Sequence, residues 1–192
     1  MTRPLPGSAV LTPDEGRLDA ARRAVAALVR DVPDFPNPGV MFKDINPLLG
    51  DPTAFSTVIG AFADLARASG ATTVAGIEAR GFLLAAPTAL ASGARLVPIR
   101  KAGKLPGATS ARTYDLEYGT ATLEVQHDAL RAGERVLLVD DVLATGGTGA
   151  AARGLVEDAG GEVVGVVVLV ELLFLGGRAR LPGLGITALQ EV

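Results

Sequence analysis

Along this chain, apolar runs rich in Val, Leu and Ile alternate with Ala-rich stretches of helical period. Continuous apolar runs suit strands buried on both faces, and helices between them supply the cover, so the pattern predicts an α/β fold: a twisted, mainly parallel sheet flanked by helices. Strands are expected near Thr73 to Ile77, Arg95 to Ile99, Arg135 to Val139 and Glu162 to Val170, and helices over Gly16 to Arg30, Pro52 to Ser69, Phe82 to Ala91 and Gly149 to Ala159. The longest apolar run, Val163 to Leu175, is too short to span a bilayer and contains Glu171, so it reads as a buried strand.

Two segments break the rhythm. Asp31 to Pro52 carries five prolines, which fix backbone angles and remove amide donors, and reads as irregular but stiffened. Arg100 to Gln126 begins as a basic Gly/Pro loop and continues into a two-stranded hairpin expected around Tyr114 to Gln126. Neither repeats nor an interdomain linker stand out, so a loose tail over residues 1–16 should precede a single domain over 17–192.

Composition narrows the function classes. The 192 residues are 48% hydrophobic, enough for one sizeable core. Eighteen basic against 21 acidic residues leave a net charge of -3, so no global field draws the chain to nucleic acid, and any phosphate binding must be local. With no cysteine, disulfides, thiolate nucleophiles and Cys-ligated zinc are excluded, which suits a reducing compartment. The N-terminal stretch lacks the apolar run of a secretion signal, so a cytoplasmic protein without a membrane partner is expected.

The densest chemistry lies in "RVLLVDDVLATGGTGAAARG", Arg135 to Gly154. Ligands of open parallel sheets bind where strand ends meet helix N-termini. Here Gly146 and Gly147 allow a tight turn and close approach. The helix start after them offers unpaired N–H groups, and Thr145 and Thr148 add hydroxyls. Such a turn suits a phosphate monoester. Asp140 and Asp141 would repel that phosphate; they suit a sugar's vicinal hydroxyls, with Mg²⁺ as a possible bridge. A Walker A loop is ruled out by the missing Lys. Two other readings stay open: "GTGAAA", Gly147 to Ala152, matches a dinucleotide fingerprint with Glu171 about twenty residues on, and a Thr-capped turn with solvated aspartates is the plain structural alternative.

"VLLVDDVLATGGT" resembles the phosphoribosyl pyrophosphate motif of the type I phosphoribosyltransferases. "DFPNPGVMFKDINPLL", "GIEARGFLLAAP", "IRKAGKLPG" and "YDLEYG" resemble, in the same order, blocks of the adenine-using group of that family, so the likeness runs from about Leu18 to Leu181. The resemblance implies transfer of phosphoribose from 5-phosphoribosyl-1-pyrophosphate to adenine, giving AMP and pyrophosphate with Mg²⁺, by a homodimer. It implies a small base-binding hood near residues 31–50 and a flexible catalytic loop near 101–119. Phosphoribosyl transfer to another base, a dinucleotide oxidoreductase and a non-catalytic sensor of phosphoribosyl pyrophosphate are the alternatives. The sensor is disfavoured by the retained "GKLPG" and "LEYG" and by the absence of a basic surface.

Residue by residue, the family pattern assigns the ribose phosphate to Ala144, Thr145, Gly146, Gly147 and Thr148 and the ribose hydroxyls to Asp140 and Asp141, with no direct protein ligand for the metal beyond those two acids. Charge growing on the leaving pyrophosphate calls for cations, and Arg80, Arg100, Lys101 and Lys104 are candidates, Lys101 reaching across a dimer interface in the family. Phe42 offers a stacking face for the purine, and backbone groups of Met41 and Lys43 could read its edge. Attack through N9 releases a proton, for which Glu117 is the candidate acceptor with Tyr118 beside it; Asp115 and Glu124 are rivals on chemistry alone. The loop from Ala102 to Thr113 could close over the site and exclude water. Ala79 and Lys43 depart from the family's usual serine and arginine. His127 receives no role.

Overall fold

The computed structural model describes residues 13–115 and 119–192; of the expected tail over residues 1–16, the first twelve lie outside them, and the end is not loose, because Asp14 caps a helix that begins at Glu15. In chain order the elements are α1 (Glu15–Leu28), β1 (Arg30–Val32), β2 (Phe42–Asp44), α2 (Asn46–Gly50), α3 (Pro52–Ala68), β3 (Thr73–Ile77), α4 (Arg80–Ser92), β4 (Arg95–Lys101), β5 (Thr109–Asp115), β6 (Thr120–Gln126), β7 (Arg135–Leu143), α5 (Gly147–Asp158), β8 (Glu162–Glu171) and β9 (Ile186–Glu191), with two short 3-10 turns between Leu173 and Arg180. A seven-stranded sheet runs in the order β5-β6-β4-β3-β7-β8-β9. Strands β4, β3, β7, β8 and the edge strand β9 are parallel, and the β5–β6 hairpin adds antiparallel to the free side of β4. Strands β1 and β2 form a separate antiparallel ribbon, the hood.

Two of the helices, α1 and α3, open on aspartate caps. The Asp14 side chain accepts from the Arg17 amide to open α1, and Asp51 accepts from the Thr53 and Ala54 amides at the start of α3, whose first residue is Pro52. Helix α4 stops at Gly93, which takes the left-handed conformation that side chains disfavour. One core cluster joins α1, α3 and α4 to one sheet face through Val25, Phe62, Leu84 and Leu137; the other packs α5 against the opposite face through Leu138, Leu155 and Val168. Because α4 and α5 leave adjacent strands β3 and β7 for opposite faces, a crevice opens at the strands' carboxyl ends, the switch point where open α/β sheets bind ligands.

The four expected strands and four expected helices are all present, with shifted ends. Strand β7 continues to Leu143, so Asp140 and Asp141 lie within the strand and not beyond it. Helix α4 starts at Arg80 and α5 at Gly147, each two residues earlier than the apolar period indicates. The hairpin begins at Thr109, so the expected lid from Ala102 to Thr113 is in part strand β5; its sequence "TSARTYD" hides this because an edge strand need not be apolar. Strands β1, β2 and β9 and the short α2 have no counterpart in the sequence reading.

Gly76 of β3 lies directly under α4: a Cβ there would stand 2.6 Å from the Ala85 Cβ. Gly76→Ala is expected to lower unfolding free energy by about 1–3 kcal/mol through overpacking, read as a reduced midpoint in urea. An unchanged midpoint would show that α4 is free to move away from the sheet.

Candidate active site

The site is built where β7 runs out. Asp141 is 5% exposed, and Asp140 is half-buried on the crevice wall. Asp140 Oδ1 accepts the Asp141 amide at 2.9 Å. Asp141 Oδ2 lies 2.8 Å from an Arg80 guanidinium nitrogen, yet among the described residues it has no aligned hydrogen bond, so the pair is held by charge. Gly81 permits this approach: a Cβ there would fall 2.8 Å from the Val139 carbonyl and 2.9 Å from Asp140 Oδ1. Burial, then the neighbouring Asp141 charge, pushes the Asp140 carboxyl well above its ordinary value. Burial also raises Asp141, against the opposing pull of Arg80.

Arg80 ties this acidic pair to the hood. Its guanidinium donates to the Lys43 carbonyl at 3.0 Å and sits 4.6 Å from the centre of the Phe42 ring, a cation–π contact. Phe35 meets Phe42 edge-on with centroids 5.0 Å apart. Lys43 is buried, and its Nζ donates to Asp31 Oδ1 at 2.6 Å across the β1–β2 ribbon, so its ammonium braces the hood while its backbone faces Arg80.

Beyond Leu143 the chain turns through Ala144, Thr145 and Gly146 into α5. Gly146 has φ +79°, and a Cβ on it would stand 2.3 Å from the Gly177 carbonyl oxygen. Gly177 is equally confined, its own Cβ position lying 2.3 Å from the Ala144 carbonyl. The turn and the first residues of α5 enclose a cavity of about 70 Å³ lined by Asp140, Ala144, Thr145, Gly146 and Thr148. Backbone amides at the start of this twelve-residue helix carry partial positive charge, as an anion requires. A neighbouring cleft of about 360 Å³ shares Asp140, Val142, Ala144 and Thr148 with it and extends to Glu78, Ala79, Arg80, Lys101 and Tyr114. A polar molecule with a phosphate at one end and a charged group at the other could therefore lie across both.

The peptide between Glu78 and Ala79 is cis. Glu78 Oε2 accepts from the Lys101 amide at 2.9 Å and from Arg100 Nε at 3.1 Å. Burial works to raise this carboxyl, but those two donors hold it below its ordinary value.

Residues 49–179 match the family model described as the phosphoribosyl transferase domain. The chain belongs to the phosphoribosyl transferase family. It is 63% identical over 174 residues to an adenine phosphoribosyltransferase of Frankia casuarinae, covering 91% of this chain and 93% of that one. Among solved structures it is similar to the adenine phosphoribosyltransferase of Thermoanaerobacter pseudethanolicus, with TM-score 0.86 and 45% identity over 89% of this chain and 99% of that one. The enzyme of Saccharomyces cerevisiae, solved with an imino-altritol bisphosphate and adenine, gives TM-score 0.84 and 37% identity over 88% and 98% of the two chains.

In this phosphoribosyl transferase, the expected residues Arg80, Asp140, Asp141, Ala144, Thr145, Gly146 and Thr148 line the two joined cavities, with Lys101 at the rim and Gly147 opening α5 beside them. Arg100 sits behind the rim, bound to Glu78 and, through its guanidinium, to the Lys104 carbonyl at 3.0 Å; Lys104 itself is exposed and does not line the cleft. Met41 is exposed on the hood. Glu117 and Tyr118 lie outside the described residues. The rival Glu124 accepts from the Gly103 amide at 3.0 Å, holding the basic loop to β6. The dinucleotide alternative fails on two counts. The "GTGAAA" stretch is part of α5, and Glu171 is 2% exposed, with both carboxylate oxygens 2.8 Å from Arg178 Nε.

Sequence reasoning missed Glu78, Tyr114 and Gly177. Glu78 stood in the quoted "GIEARGF" block, but nothing in its spacing told that it would receive two donors from β4; Gly177 gave no signal at all.

Because the native Asp140 carboxyl keeps its proton to higher pH than an unfolded aspartate, the folded state loses stability as pH rises from the ordinary aspartate value through the raised native one. Asp140→Asn removes that cost. Its melting temperature should exceed the parent's at pH 7, with the difference shrinking as pH falls into the ordinary carboxylate range. A variant that melts lower at pH 7 would show that the buried charge is fully compensated.

Proposed function

We propose that the chain transfers the 5-phosphoribosyl group of 5-phosphoribosyl-1-pyrophosphate to adenine, yielding AMP and pyrophosphate. The observation that carries the reading is the pairing of Asp140 and Asp141 with an anion-suited turn at the start of α5, in a chain whose curated relatives at about 60% identity are adenine phosphoribosyltransferases.

On this reading the amides and hydroxyls of Thr145 to Thr148 grip the ribose phosphate, and the two aspartates accept from the ribose hydroxyls. Lys101, Arg80 and the backbone after Glu78 meet the pyrophosphate. The N9 lone pair of adenine forms the new bond to the anomeric carbon as the bond to pyrophosphate oxygen breaks, its electron pair leaving with pyrophosphate. The N9 proton passes to a carboxylate, a role assigned to Glu117 by the "LEYG" likeness. Phe42 supplies the stacking face for the base. Arg80 already covers one side of that ring, so the purine either displaces the guanidinium or takes the other side.

Mg²⁺ fits this site as a shared ligand. Among the described residues no cluster of three or more His, Asp or Glu side chains gathers to hold a metal alone. Asp140 and Asp141 offer hard oxygens, one of them buried without a hydrogen bond, and substrate oxygens would complete the set. When bound, the metal supplies positive charge against the leaving pyrophosphate.

The homodimer is part of the same proposal. Leu83 and Leu90, two turns apart on α4, and Leu96 on β4 are exposed, Leu90 by 86%, an apolar surface that a second copy would cover. Sedimentation equilibrium should give twice the chain mass, and Leu90→Glu should shift it toward the single chain. A parent that sediments as one chain would remove the dimer from the proposal.

Incubating the protein with Mg²⁺, 5-phosphoribosyl-1-pyrophosphate and each free base in turn tests the activity. AMP should form with adenine and little nucleotide with hypoxanthine, guanine or uracil. Efficient turnover of another base, or of none, would overturn the assignment.

A further inference from the structure

One polar side chain on the cleft wall has no part in the reaction just described. Tyr114, near the end of β5, is half-buried, and its ring packs against the core cluster that seats α5. Its hydroxyl oxygen accepts from the Thr148 hydroxyl at 3.2 Å. Thr148 is the second residue of α5 and lines both cavities.

A hydroxyl has one proton to donate. While the Thr148 proton points to Tyr114 it cannot serve an anion in the adjoining cavity. A bond to a phosphate oxygen is charge-assisted and stronger than one to a phenol, so a bound phosphate takes the Thr148 proton. The Tyr114 O–H can then turn to donate to the Thr148 oxygen it faced as acceptor. A donor chain of this kind polarises the terminal hydroxyl and holds its rotamer.

A second contact keeps Tyr114 in position. Two residues earlier, Arg112 lies across the face of α5 at Gly154, where a Cβ would stand 1.2 Å from its guanidinium nitrogen, and it reaches Asp158 at 3.7 Å. Strand β5 therefore rests along α5 at two points, on the same side chains' face of the hairpin.

We propose that Tyr114 is a positioning residue for the sugar's phosphate: it orders the Thr148 hydroxyl and thereby links the β5–β6 hairpin to occupancy of the turn before α5. The inference rests on the phosphate placement proposed above.

Four proteins test it: the parent, Tyr114→Phe, Thr148→Val and the double variant, each confirmed folded by its ligand-free melting temperature. The Kd for AMP and the KM values for 5-phosphoribosyl-1-pyrophosphate and adenine are measured for all four. Tyr114→Phe should weaken AMP and raise the KM for phosphoribosyl pyrophosphate by about three- to tenfold, the size of one neutral hydrogen bond. The KM for adenine should be unchanged, and the effect should vanish once Thr148 is Val. Unchanged AMP affinity in Tyr114→Phe, an equal rise in the KM for adenine, or the same loss persisting in the Thr148→Val background would overturn it. If Thr148→Val itself left AMP binding intact, the phosphate placement would fall first and this inference with it.

Discussion

A half-buried and a buried carboxylate adjacent on one strand repel each other and forfeit water, and the surroundings of Asp140 and Asp141 answer that cost. The Asp141 amide turns back onto its neighbour's carboxylate, Arg80 stands against the inner acid, and Gly81 lets α4 come near enough for Arg80 to do so. Asp141 Oδ2 is left without an aligned hydrogen bond, and both acids border the cleft. Unpaired carboxylate oxygens beside a cleft are the kind of frustration that marks functional sites in folded proteins.

Arg80 extends that arrangement to the hood. One guanidinium meets an aspartate, a backbone carbonyl and an aromatic ring, so the ribbon of β1 and β2 is oriented by the same group that offsets the acidic pair. Lys43 and Asp31 stiffen the ribbon from within. The hood and the acidic pair are in this way coupled through a single side chain, although they come from segments about a hundred residues apart.

Apolar runs locate β3, β7 and β8, which are buried on both faces, and β4, where Val97 and Ile99 are buried while Leu96 is exposed; β6 lies within the expected hairpin. The sequence pattern opens the hairpin at Tyr114, five residues after strand β5 begins at Thr109, since an edge strand carrying Arg112 over a helix can remain polar. Strand β9 mixes polar and apolar positions without a regular alternation, and the hood strands have three residues each. The segment from Asp140 to Thr148 was legible because acids, glycines and threonines are concentrated in nine positions. Glu78 and Tyr114 were not, for their partners, the Lys101 amide and the Thr148 hydroxyl, arrive only through strand and helix packing. Lys104 shows the converse: a basic residue inside a telling block is exposed and stands outside the lining of the cleft.

Gly146 and Gly177 press backbone against backbone with no room for a methyl group on either. The turn beside the small cavity is consequently held against a stretch of chain that carries none of the signature residues, fastened in turn by the Arg178 clamp on Glu171. Mutational tolerance in the region after β8 is therefore governed by the shape of a turn thirty residues upstream, and the two glycines behave as one joint whose halves cannot be altered independently.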